Sequence, residues 1–443
     1  MDRKRILIIG AGHVGFYVAA DLGRKLRKEI RRGAVEVVVV DPNQHMTYQP
    51  FLPEAAAGHI SPRHGVISLR RSLKHCTILA GRVTRIDHAD RTVTVQPITG
   101  PARKVEYDEI VVAPGSVSRT LPIPGLAENG IGFKTMGEAI YLRNHVLARL
   151  DIAASTTDEE VRRRALSFVF VGGGFAGIEA LAELEDMVRD TLRYYPELEM
   201  EQTRWVLVEA SQRILPEVGP DMGVYTVRQL LKRGLDIRLN TLLKSCVDGH
   251  VVLSDGTEFE SDTIVWTAGV KPNPMLRESD LPTGPKGHVV CVPTLQVATE
   301  DGTVVPGAWA AGDGAQVPDL TNPGGYCSPS AQHAVRQAHR LSKNLVAVLR
   351  GGQPVEYRHK YAGSVASLGL HKGVAHVYNI KLKGILAWFL HRTYHLSRVP
   401  GFGRKTRVVA DWTLALLTKR EIVQLGELQE PHGPFAEAST GEV

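Results

Sequence analysis

Two glycine-rich segments have residue types and a spacing that suit phosphate binding. Both fit the pattern G-x-G-x-x-G, the first at Gly10, Gly12 and Gly15 and the second at Gly172, Gly174 and Gly177. In this pattern the first glycine permits a tight turn, the second lets backbone approach a pyrophosphate, and the third lets a helix pack on a strand. Backbone N–H groups and the positive end of the helix dipole then bind the phosphates. The spacing therefore predicts two dinucleotide sites.

Each glycine segment is followed, one helix later, by an acidic residue at the end of an apolar run. Asp41 follows a run of four valines from residue 37, and Glu209 follows the run Trp205-Val206-Leu207-Val208. A carboxylate at this position accepts hydrogen bonds from ribose hydroxyls and repels a 2′-phosphate. Asp41 and Glu209 are therefore predicted ribose ligands, and Glu209 favours NADH over NADPH. Arg213, shortly downstream, weakens that preference.

The elements that must position these loops form two α/β units of similar plan. Apolar runs precede both loops, and both units end in a strand that leads into a glycine turn, at Ala113-Pro114-Gly115 and at Ala268-Gly269. A further strand leads into Gly312-Asp313-Gly314 and returns the chain to the first unit. The predicted fold is α/β, with two Rossmann-like domains and a C-terminal membrane-associating region. The predicted domains are residues 1–125 with 293–379, residues 126–292, helices at 380–425, and a disordered tail at 426–443.

The C-terminal region combines aromatic and aliphatic residues at helical spacing with many cations. Trp388 and Phe389 lie on one predicted helix and Trp412 on the next, and between Ile380 and Arg420 the single acid is Asp411. Such helices lie in a membrane interface with their basic groups on anionic headgroups. Those basic groups are Lys381, Lys383, Arg392, Arg398, Arg404, Lys405, Arg407, Lys419 and Arg420. Aromatic stripes also pack on protein cores and in dimer interfaces, so a homodimer stays open. No nucleic-acid motif accompanies the cations.

Composition narrows the function classes further. The chain has 443 residues, 43 glycines and a net charge of +6. Its four cysteines form no C-x-x-C pair, which argues against a disulfide framework, a zinc ribbon and a dithiol redox centre. The histidines have no metal-ligand spacing, so no metal is expected. A first strand beginning by Ile6 leaves no room for a secretory signal, and no apolar stretch is long enough to span a membrane, so an intracellular location is expected.

The order of motifs resembles the type II NADH:quinone oxidoreductases, within the two-dinucleotide-binding flavoproteins. Besides the glycine loops, the resemblance rests on His45-Met46-Thr47-Tyr48-Gln49-Pro50-Phe51-Leu52, Val112-Ala113-Pro114-Gly115, Ala311-Gly312-Asp313-Gly314 and Ala331-Gln332-His333-Ala334. It implies FAD in the first domain and NADH in the second. Hydride would pass to the flavin, which would reduce a membrane quinone (menaquinone or ubiquinone) without proton pumping. It also implies peripheral attachment to the cytoplasmic face of the cell membrane through lipid contacts of the C-terminal helices.

The resemblance assigns roles to matching residues. The residues predicted to bind FAD are Gly10, Gly12, His13, Val14, Gly15, Asp41, Ala113, Gly115, Gly312, Asp313 and Gln332. Those predicted to bind NADH are Gly172, Gly174, Phe175, Ala176, Gly177, Glu179, Glu209 and Gly269. Glu179, Gln332 and Arg336 are the predicted catalytic residues. Glu179 would steer protons near the nicotinamide–flavin contact; a carboxylate in the first helical turns also simply stabilises the dipole.

The predicted quinone motif departs from the family pattern. The family has A-Q-x-A-x-Q, whereas Arg336 takes the sixth position here and Gln337 follows it. A shift of one residue rotates a helical side chain by about 100°, so Gln337 is not a simple replacement. Arg336 could donate hydrogen bonds to a quinone carbonyl or an anionic quinol, while a surface helix with polar side chains is the plain alternative.

Three other functions fit parts of the sequence. A sulfide:quinone oxidoreductase would share the fold but use a cysteine pair beside the flavin. A soluble reductase of a small redox protein is another alternative, but such an enzyme would not need the basic aromatic helices. A redox sensor that binds NADH and FAD with little turnover would need the same nucleotide motifs.

Overall fold

The computed structural model describes residues 3–359 and 363–424. The described chain divides into two compact units. Unit 1 contains residues 3–48, 66–119 and 270–359, and unit 2 contains residues 49–65, 120–269 and 363–424. The predicted tail at 426–443 lies outside the described residues.

Unit 1 is built on an eight-stranded sheet. In spatial order its strands are Gln296–Ala298, Val304–Ala310, Glu109–Val112, Lys4–Ile9, Val35–Asp41, Thr77–Asp87, Thr92–Pro97 and Arg103–Glu106. The five strands from Val304–Ala310 to Thr77–Asp87 pair in parallel, and the outer pairings are antiparallel. Continuous apolar runs suit this centre because a parallel sheet is covered on both faces. Ile6, Leu7 and Ile8 are fully buried there.

In unit 1, the first glycine loop follows a central strand of the sheet and leads into a helix. Helix His13–Lys25 packs against helix Ala331–Leu349. Asp21 joins the two helices, because it accepts a hydrogen bond from Ser342 Oγ at 3.0 Å and lies 2.8 Å from His339 Nδ1. Shorter helices span Arg27–Arg31 and Leu69–Ser72, and two-stranded pairs join His45–Thr47 to Val66–Ser68, Ser116–Ser118 to Val270–Pro272, and Val289–Val290 to Ala315–Gln316.

Unit 2 has a five-stranded parallel sheet. Its strands, in spatial order, are Gly130–Gly132, Thr263–Trp266, Ser167–Val171, Arg204–Val208 and Asp236–Arg238. The rings of Phe168 and Trp205 stack across neighbouring strands with centroids 4.3 Å apart. An antiparallel sheet of Leu243–Ser245, His250–Leu253 and Glu258–Glu260 accompanies it. Its helices are Leu52–Ala56, Leu126–Asn129, Met136–Ser155, Glu159–Ala165, Phe175–Thr191 and Pro220–Leu231.

The C-terminal part of unit 2 is a small sheet followed by two helices. Strands Ser364–Ser367, Gly373–Val377 and Ile380–Lys383 are antiparallel, and helices Gly384–Arg398 and Phe402–Leu417 follow. The first of these helices packs on the sheet, burying Ala387 and Trp388. Within the described residues, no helix is both long and apolar enough to cross a membrane.

Four segments fall in a different unit from the sequence-predicted domains, and residues 49–65 and 120–125 are two of them, because they belong to unit 2. Residues 270–292 belong to unit 1, where Val270–Pro272 pairs with Ser116–Ser118. Residues 363–379 belong to unit 2, where strand Ser364–Ser367 packs against helix Phe175–Thr191. The last two differences arise from contacts between residues far apart in sequence, which the local apolar pattern does not encode.

Candidate functional site

The first glycine loop connects strand Lys4–Ile9 to helix His13–Lys25 in unit 1. Gly10 has a φ of +86°, which favours glycine, and a Cβ on Gly15 would lie 1.8 Å from the Gly10 carbonyl oxygen. A Cβ on Gly12 would meet nothing within 4 Å among the described residues. Gly10 and Gly15 are thus required by the fold itself, whereas the space above Gly12 is open for a ligand.

Asp41 connects the end of the second strand to this loop. Its Oδ2 accepts a hydrogen bond from Ala11 N at 2.7 Å, and its Oδ1 accepts one from Asn43 N at 2.7 Å. Burial raises the pKa of Asp41 above its ordinary value, against the lowering effect of these two backbone donors. A carboxylate keeps further acceptor positions on each oxygen, so a ribose hydroxyl can still bind beside the backbone donors.

The second glycine loop repeats this geometry in unit 2. Glu209 Oε2 accepts from Gly173 N at 2.6 Å, and Oε1 accepts from Ser211 N at 2.7 Å. A Cβ on Gly177 would lie 2.0 Å from the Gly172 carbonyl oxygen, whereas one on Gly174 would meet nothing within 4 Å. The first amide of each loop donates to the end of the neighbouring strand, Gly10 N to Val40 O and Gly172 N to Val208 O, both at 2.9 Å.

Thr267 supports the second loop from the next strand, a role that the sequence analysis missed. Its Oγ1 donates to the carbonyl oxygens of Val171 at 3.0 Å and Gly172 at 3.1 Å. Gly269, two residues later, has a φ of +87° and open space around its Cα. Both units end in a strand followed by a glycine turn, and Thr267 lies in this turn of unit 2. That repeat was the sequence signal from which the role of Thr267 could have been predicted.

In unit 1, the predicted flavin residues converge on the first loop from three strand ends. A Cβ on Gly10 would lie 2.3 Å from the Ala113 carbonyl oxygen, and one on Gly312 would lie 2.6 Å from Val14 Cγ2. Ser116 Oγ donates to Asp313 Oδ2 at 2.7 Å, which orients that carboxylate in the turn Gly312–Gly314. Gly115 has a φ of +72° and open space at its Cα.

His13, the first residue of the helix after the loop, carries a buried polar atom. Its Nε2 is buried and has no hydrogen-bond partner among the residues that the structure describes. Burial lowers the pKa of His13 to about 4, against a raising effect of Asp313. The ring is therefore neutral at pH 7. A ligand that binds beside Gly12 would meet a neutral imidazole here.

Helix Ala331–Leu349 carries the predicted quinone motif, and the structure separates the two polar faces of this helix. Gln337 is 1 % exposed, and its Oε1 accepts a hydrogen bond from Gly312 N at 2.7 Å. Gln332 and Arg336, four residues apart, share another face, where Arg336 Nη1 lies 3.3 Å from His359 Nδ1. Gln337 is thus committed to the turn at Gly312, in agreement with the expectation that it does not replace the residue at position 336.

Glu179 is buried in unit 2 instead of facing solvent at a helix end. Its Oε1 accepts from Ser367 N at 2.9 Å and lies 3.0 Å from His391 Nε2. It belongs to a buried charge cluster, defined here as Glu54, His59, Glu179, Glu183, Ser367, His391, Arg392 and Arg420. A helix-dipole role alone therefore does not describe Glu179.

Glu183, one turn after Glu179, is held by three elements. Its Oε1 accepts from Ser367 Oγ at 2.7 Å, and its Oε2 lies 3.0 Å from His59 Nδ1. Burial alone would raise the pKa of Glu183, but His59, Arg392 and Ser367 lower it to about 2. Arg420 Nη2 in turn donates to His59 Nε2 at 2.7 Å.

Arg392 corrects one expectation about the C-terminal cations. It was expected among the residues that face lipid headgroups, but its side chain is 5 % exposed. Its Nε lies 3.4 Å from Glu54 Oε1, and its guanidinium lies over the ring of Trp388 at 4.2 Å. Trp412 Nε1 donates to Glu54 Oε2 at 2.5 Å. No local sequence pattern indicates this pairing, because Glu54 and Arg392 are distant along the chain.

The cysteines and histidines provide no other redox or metal centre in the described residues. All four cysteines, Cys76, Cys246, Cys291 and Cys327, are free. Burial raises the pKa of each thiol above its ordinary value, to about 11 at Cys246 and Cys327. These thiols are protonated at pH 7 and are poor nucleophiles. No group of three or more potential metal ligands occurs in the part of the chain described.

The chain is similar to known oxidoreductases in sequence and in fold. The sequence profile of the pyridine nucleotide-disulphide oxidoreductases matches residues 4–338. The type II NADH:quinone oxidoreductase Ndh of Mycobacterium tuberculosis is 28% identical over 94% of this chain and 89% of its own. A type II NADH:quinone oxidoreductase of Staphylococcus epidermidis is also 28% identical, over 91% of this chain and 97% of its own.

A solved structure shows the same fold. NDH2 from Plasmodium falciparum in complex with NADH matches 95% of this chain and 100% of its own with a TM-score of 0.87, at 17% sequence identity. The α/β fold class with Rossmann-type sheets is confirmed, and so is the resemblance identified from the motifs. With a profile match over well more than half of its length, the chain belongs to the pyridine nucleotide-disulphide oxidoreductase family.

Proposed function

We propose that this protein is an FAD-dependent NADH:quinone oxidoreductase that transfers a hydride from NADH to flavin and then electrons to a quinone. The observation that carries the proposal is the duplicated loop-and-acid geometry, with Asp41 bonded to Ala11 N and Glu209 bonded to Gly173 N. Two nucleotide cradles in one chain suit a protein that binds a redox cofactor and a nicotinamide. The names of the relatives support the activity and confirm the prediction of an NADH:quinone oxidoreductase.

Unit 1 is the proposed FAD domain. The residues around the first glycine loop fit FAD, because the space at Gly12 and Gly115 is open. His13 Nε2 is also a buried polar atom that has no hydrogen-bond partner among the residues that the structure describes. The loop amides at the helix N-terminus would bind the pyrophosphate, and Asp41 would bind the adenosine ribose. Asp313, oriented by Ser116, would accept a hydrogen bond from the ribityl chain or the flavin ring. When bound, FAD accepts a hydride and returns its electrons to a second substrate.

Unit 2 is the proposed NADH domain. Gly174 leaves room for the pyrophosphate, with Phe175 and Ala176 beginning the helix that points its N-terminus at the phosphates. Glu209 would bind the adenosine ribose and exclude a 2′-phosphate by charge repulsion. Gly269 would let the nucleotide approach the end of the adjacent strand. These roles deepen the sequence-based assignments of Gly172, Gly177 and Glu209.

Gln332 and Arg336 are the proposed quinone-facing residues of helix Ala331–Leu349. Their four-residue spacing places them on one face of the helix. Gln337 already accepts a hydrogen bond from Gly312 N, so Arg336, and not Gln337, is available to a quinone. A guanidinium donates hydrogen bonds but cannot accept them, whereas glutamine does both. Arg336 therefore favours a carbonyl or an anionic oxygen as its partner, and either menaquinone or ubiquinone supplies one.

The C-terminal helices are proposed to attach the protein to the cytoplasmic face of the membrane. Ile385, Leu386 and Phe389 are each at least 58% exposed and share one face of helix Gly384–Arg398. Exposed apolar side chains beside cations suit an interface of anionic lipid. The substitution of both Leu386 and Phe389 by serine should release the protein from anionic vesicles, while Leu242→Ser, at a leucine of unit 2 that is 53% exposed, should not. Equal binding of all three proteins would contradict the attachment.

Anaerobic stopped-flow spectroscopy tests the activity. The flavin-loaded protein is reduced with NADH and then mixed with a short-chain menaquinone or ubiquinone analogue while flavin absorbance is followed. Fast reduction and fast reoxidation support the proposal. Fast reduction followed by a long-lived reduced flavin with every quinone would instead favour the redox-sensor alternative. All four cysteines are free, so no bonded cysteine pair supports the sulfide alternative.

A further inference from the structure

The His391–Glu179 pair lies at the inner end of a short row of imidazoles on the first C-terminal helix. His391 is 2 % exposed, and its Nε2 lies 3.0 Å from Glu179 Oε1. His395, one turn later and half-buried, has its ring centroid 4.5 Å from that of His391. The row therefore leads from a buried carboxylate towards the less buried end of the same helix.

The charges around His391 favour the imidazolium form. Within the buried charge cluster, three carboxylates (Glu54, Glu179 and Glu183) accompany two guanidinium groups (Arg392 and Arg420), so a proton on His391 balances the charge. Burial lowers the pKa of His391, but the carboxylates of Glu179, Glu54 and Glu183 outweigh it, and the pKa lies above its ordinary value.

The elements packed against His391 bring these charges from several directions. Helix Phe175–Thr191 contributes Glu179 and Glu183, helix Leu52–Ala56 contributes Glu54, and the helix of His391 itself contributes Arg392 and His395. From the turn between strands Ser364–Ser367 and Gly373–Val377, His371 contacts Trp388, which lies one helical turn before His391; the ring centroids are 5.0 Å apart. The acids closest to His391 are thus carboxylates from two other helices, which stabilise a proton there.

We propose that His391, reached through His395, holds the solvent proton that quinone reduction consumes and passes it to Glu179. This inference rests on the proposed function. NADH delivers two electrons and one hydrogen nucleus as hydride, so reduction of a quinone to a quinol takes up one further proton from solvent. That proton moves from His391 Nε2 to Glu179 Oε1, Glu179 gives it up as the quinone becomes a quinol, and His391 is reprotonated through His395. His391 acts through Glu179 and is a positioning residue.

The test separates the two half-reactions in the flavin-loaded full chain. His391→Gln should slow reoxidation of the reduced flavin by a short-chain quinone by about a hundredfold, the low end of general acid contributions. Reduction of the flavin by NADH needs no solvent proton and should change by less than about threefold. In the wild type, reoxidation should slow as the pH rises through the raised pKa of His391, because the proton is then lost. The variant should lose this pH dependence, and added imidazole should restore part of the rate.

Two further variants keep the test decisive. His395→Gln changes a half-buried side chain with less risk to folding and should slow reoxidation in the same direction. His250→Gln removes an exposed histidine of the same unit that pairs with Glu258 and Glu260, and it should leave both half-reactions unchanged. The ¹⁵N shifts of labelled histidines should show an imidazolium at pH 7 that disappears in His391→Gln and titrates at lower pH in Glu179→Gln.

The outcomes distinguish this proposal from the proposed function. Normal reoxidation in both His391→Gln and His395→Gln, with a wild type that turns over, overturns the proton route and leaves the oxidoreductase intact. A neutral His391 at pH 7 in the wild type also overturns it. A wild type that no quinone reoxidises removes the proposed function and the route together.

Discussion

The substitution Arg392→Met should destabilise unit 2 strongly, because it would leave Glu54 as a buried carboxylate without its nearest cation. Glu54 is 2 % exposed, and Arg392 Nε lies 3.4 Å from its Oε1. Removal of one partner of a buried ion pair costs about 3–5 kcal/mol, since the remaining charge has lost both water and its counterion. The cation–π contact with Trp388, at 4.2 Å, is lost as well.

A second substitution separates charge from packing. Glu54→Gln keeps an acceptor for Trp412 Nε1 and removes the charge, so Arg392→Met with Glu54→Gln should recover at least half of the lost stability. Lys381→Met is the matched control, because the side chains of its pair with Asp221 are 44 % and 68 % exposed, so the loss of this pair should change the urea midpoint little. Urea unfolding followed by tryptophan fluorescence measures all four proteins. A loss below about 1 kcal/mol for Arg392→Met, or no recovery in the double variant, would refute the reasoning.

Three other predictions follow from the two cradles and the cluster. Gly177→Ala should lower the free energy of unfolding by about 3 kcal/mol, because its Cβ would lie 2.0 Å from a carbonyl oxygen. Gly174→Ala should lower it by less than about 1 kcal/mol, yet it should weaken NADH binding at least tenfold in a fluorescence titration. Glu209→Gln keeps an acceptor for Gly173 N but loses the charge, so the ratio of the Kd for NADPH to the Kd for NADH should fall towards one. An unchanged ratio would show that Glu209 does not discriminate between the two nucleotides. The pKa of Glu183 is lowered to about 2, so its ionised carboxylate stabilises the fold above the ordinary pKa of about 4.3. This stabilisation should be lost as the pH falls towards 2. The urea midpoint should therefore fall less steeply between about pH 5 and pH 3 in Glu183→Gln than in the wild type.

The sequence predicted the parts of the molecule whose signals are local. Strand, glycine loop and helix follow one another within about fifteen residues, so the apolar run before Gly10 and the turn after it were readable together. The acids at the second strand ends were readable for the same reason, because each closes its own β-α-β segment. The hydrogen bonds of Asp41 to Ala11 N and of Glu209 to Gly173 N were not predicted. They could have been, because the loop amides are the nearest donors to a carboxylate at the strand end.

The buried charge cluster could not be predicted from the sequence. Its members come from residues 52–56, from helix Phe175–Thr191 and from the C-terminal helices, and no local pattern specifies that these segments meet. One partial signal existed: Glu179 and Glu183 are four residues apart on a helix whose neighbouring positions Ile178 and Leu181 are apolar. Two acids at that spacing inside an apolar stripe indicate buried carboxylates that need cations.

Helix Gly384–Arg398 has one buried and one exposed face, and this decides how its proposed membrane attachment can be tested. Trp388, His391 and Arg392 recur at helical spacing and are buried against the acids of unit 2, whereas Leu386 and Phe389 are exposed. Deletion of the helix would therefore remove the exposed apolar side chains that are proposed to contact lipid and also leave three buried carboxylates without two of their cations. The loss of vesicle binding in such a protein would report unfolding of unit 2 as much as loss of lipid contact. Substitutions confined to the exposed face separate the two effects, because they leave the contacts of His391 and Arg392 intact.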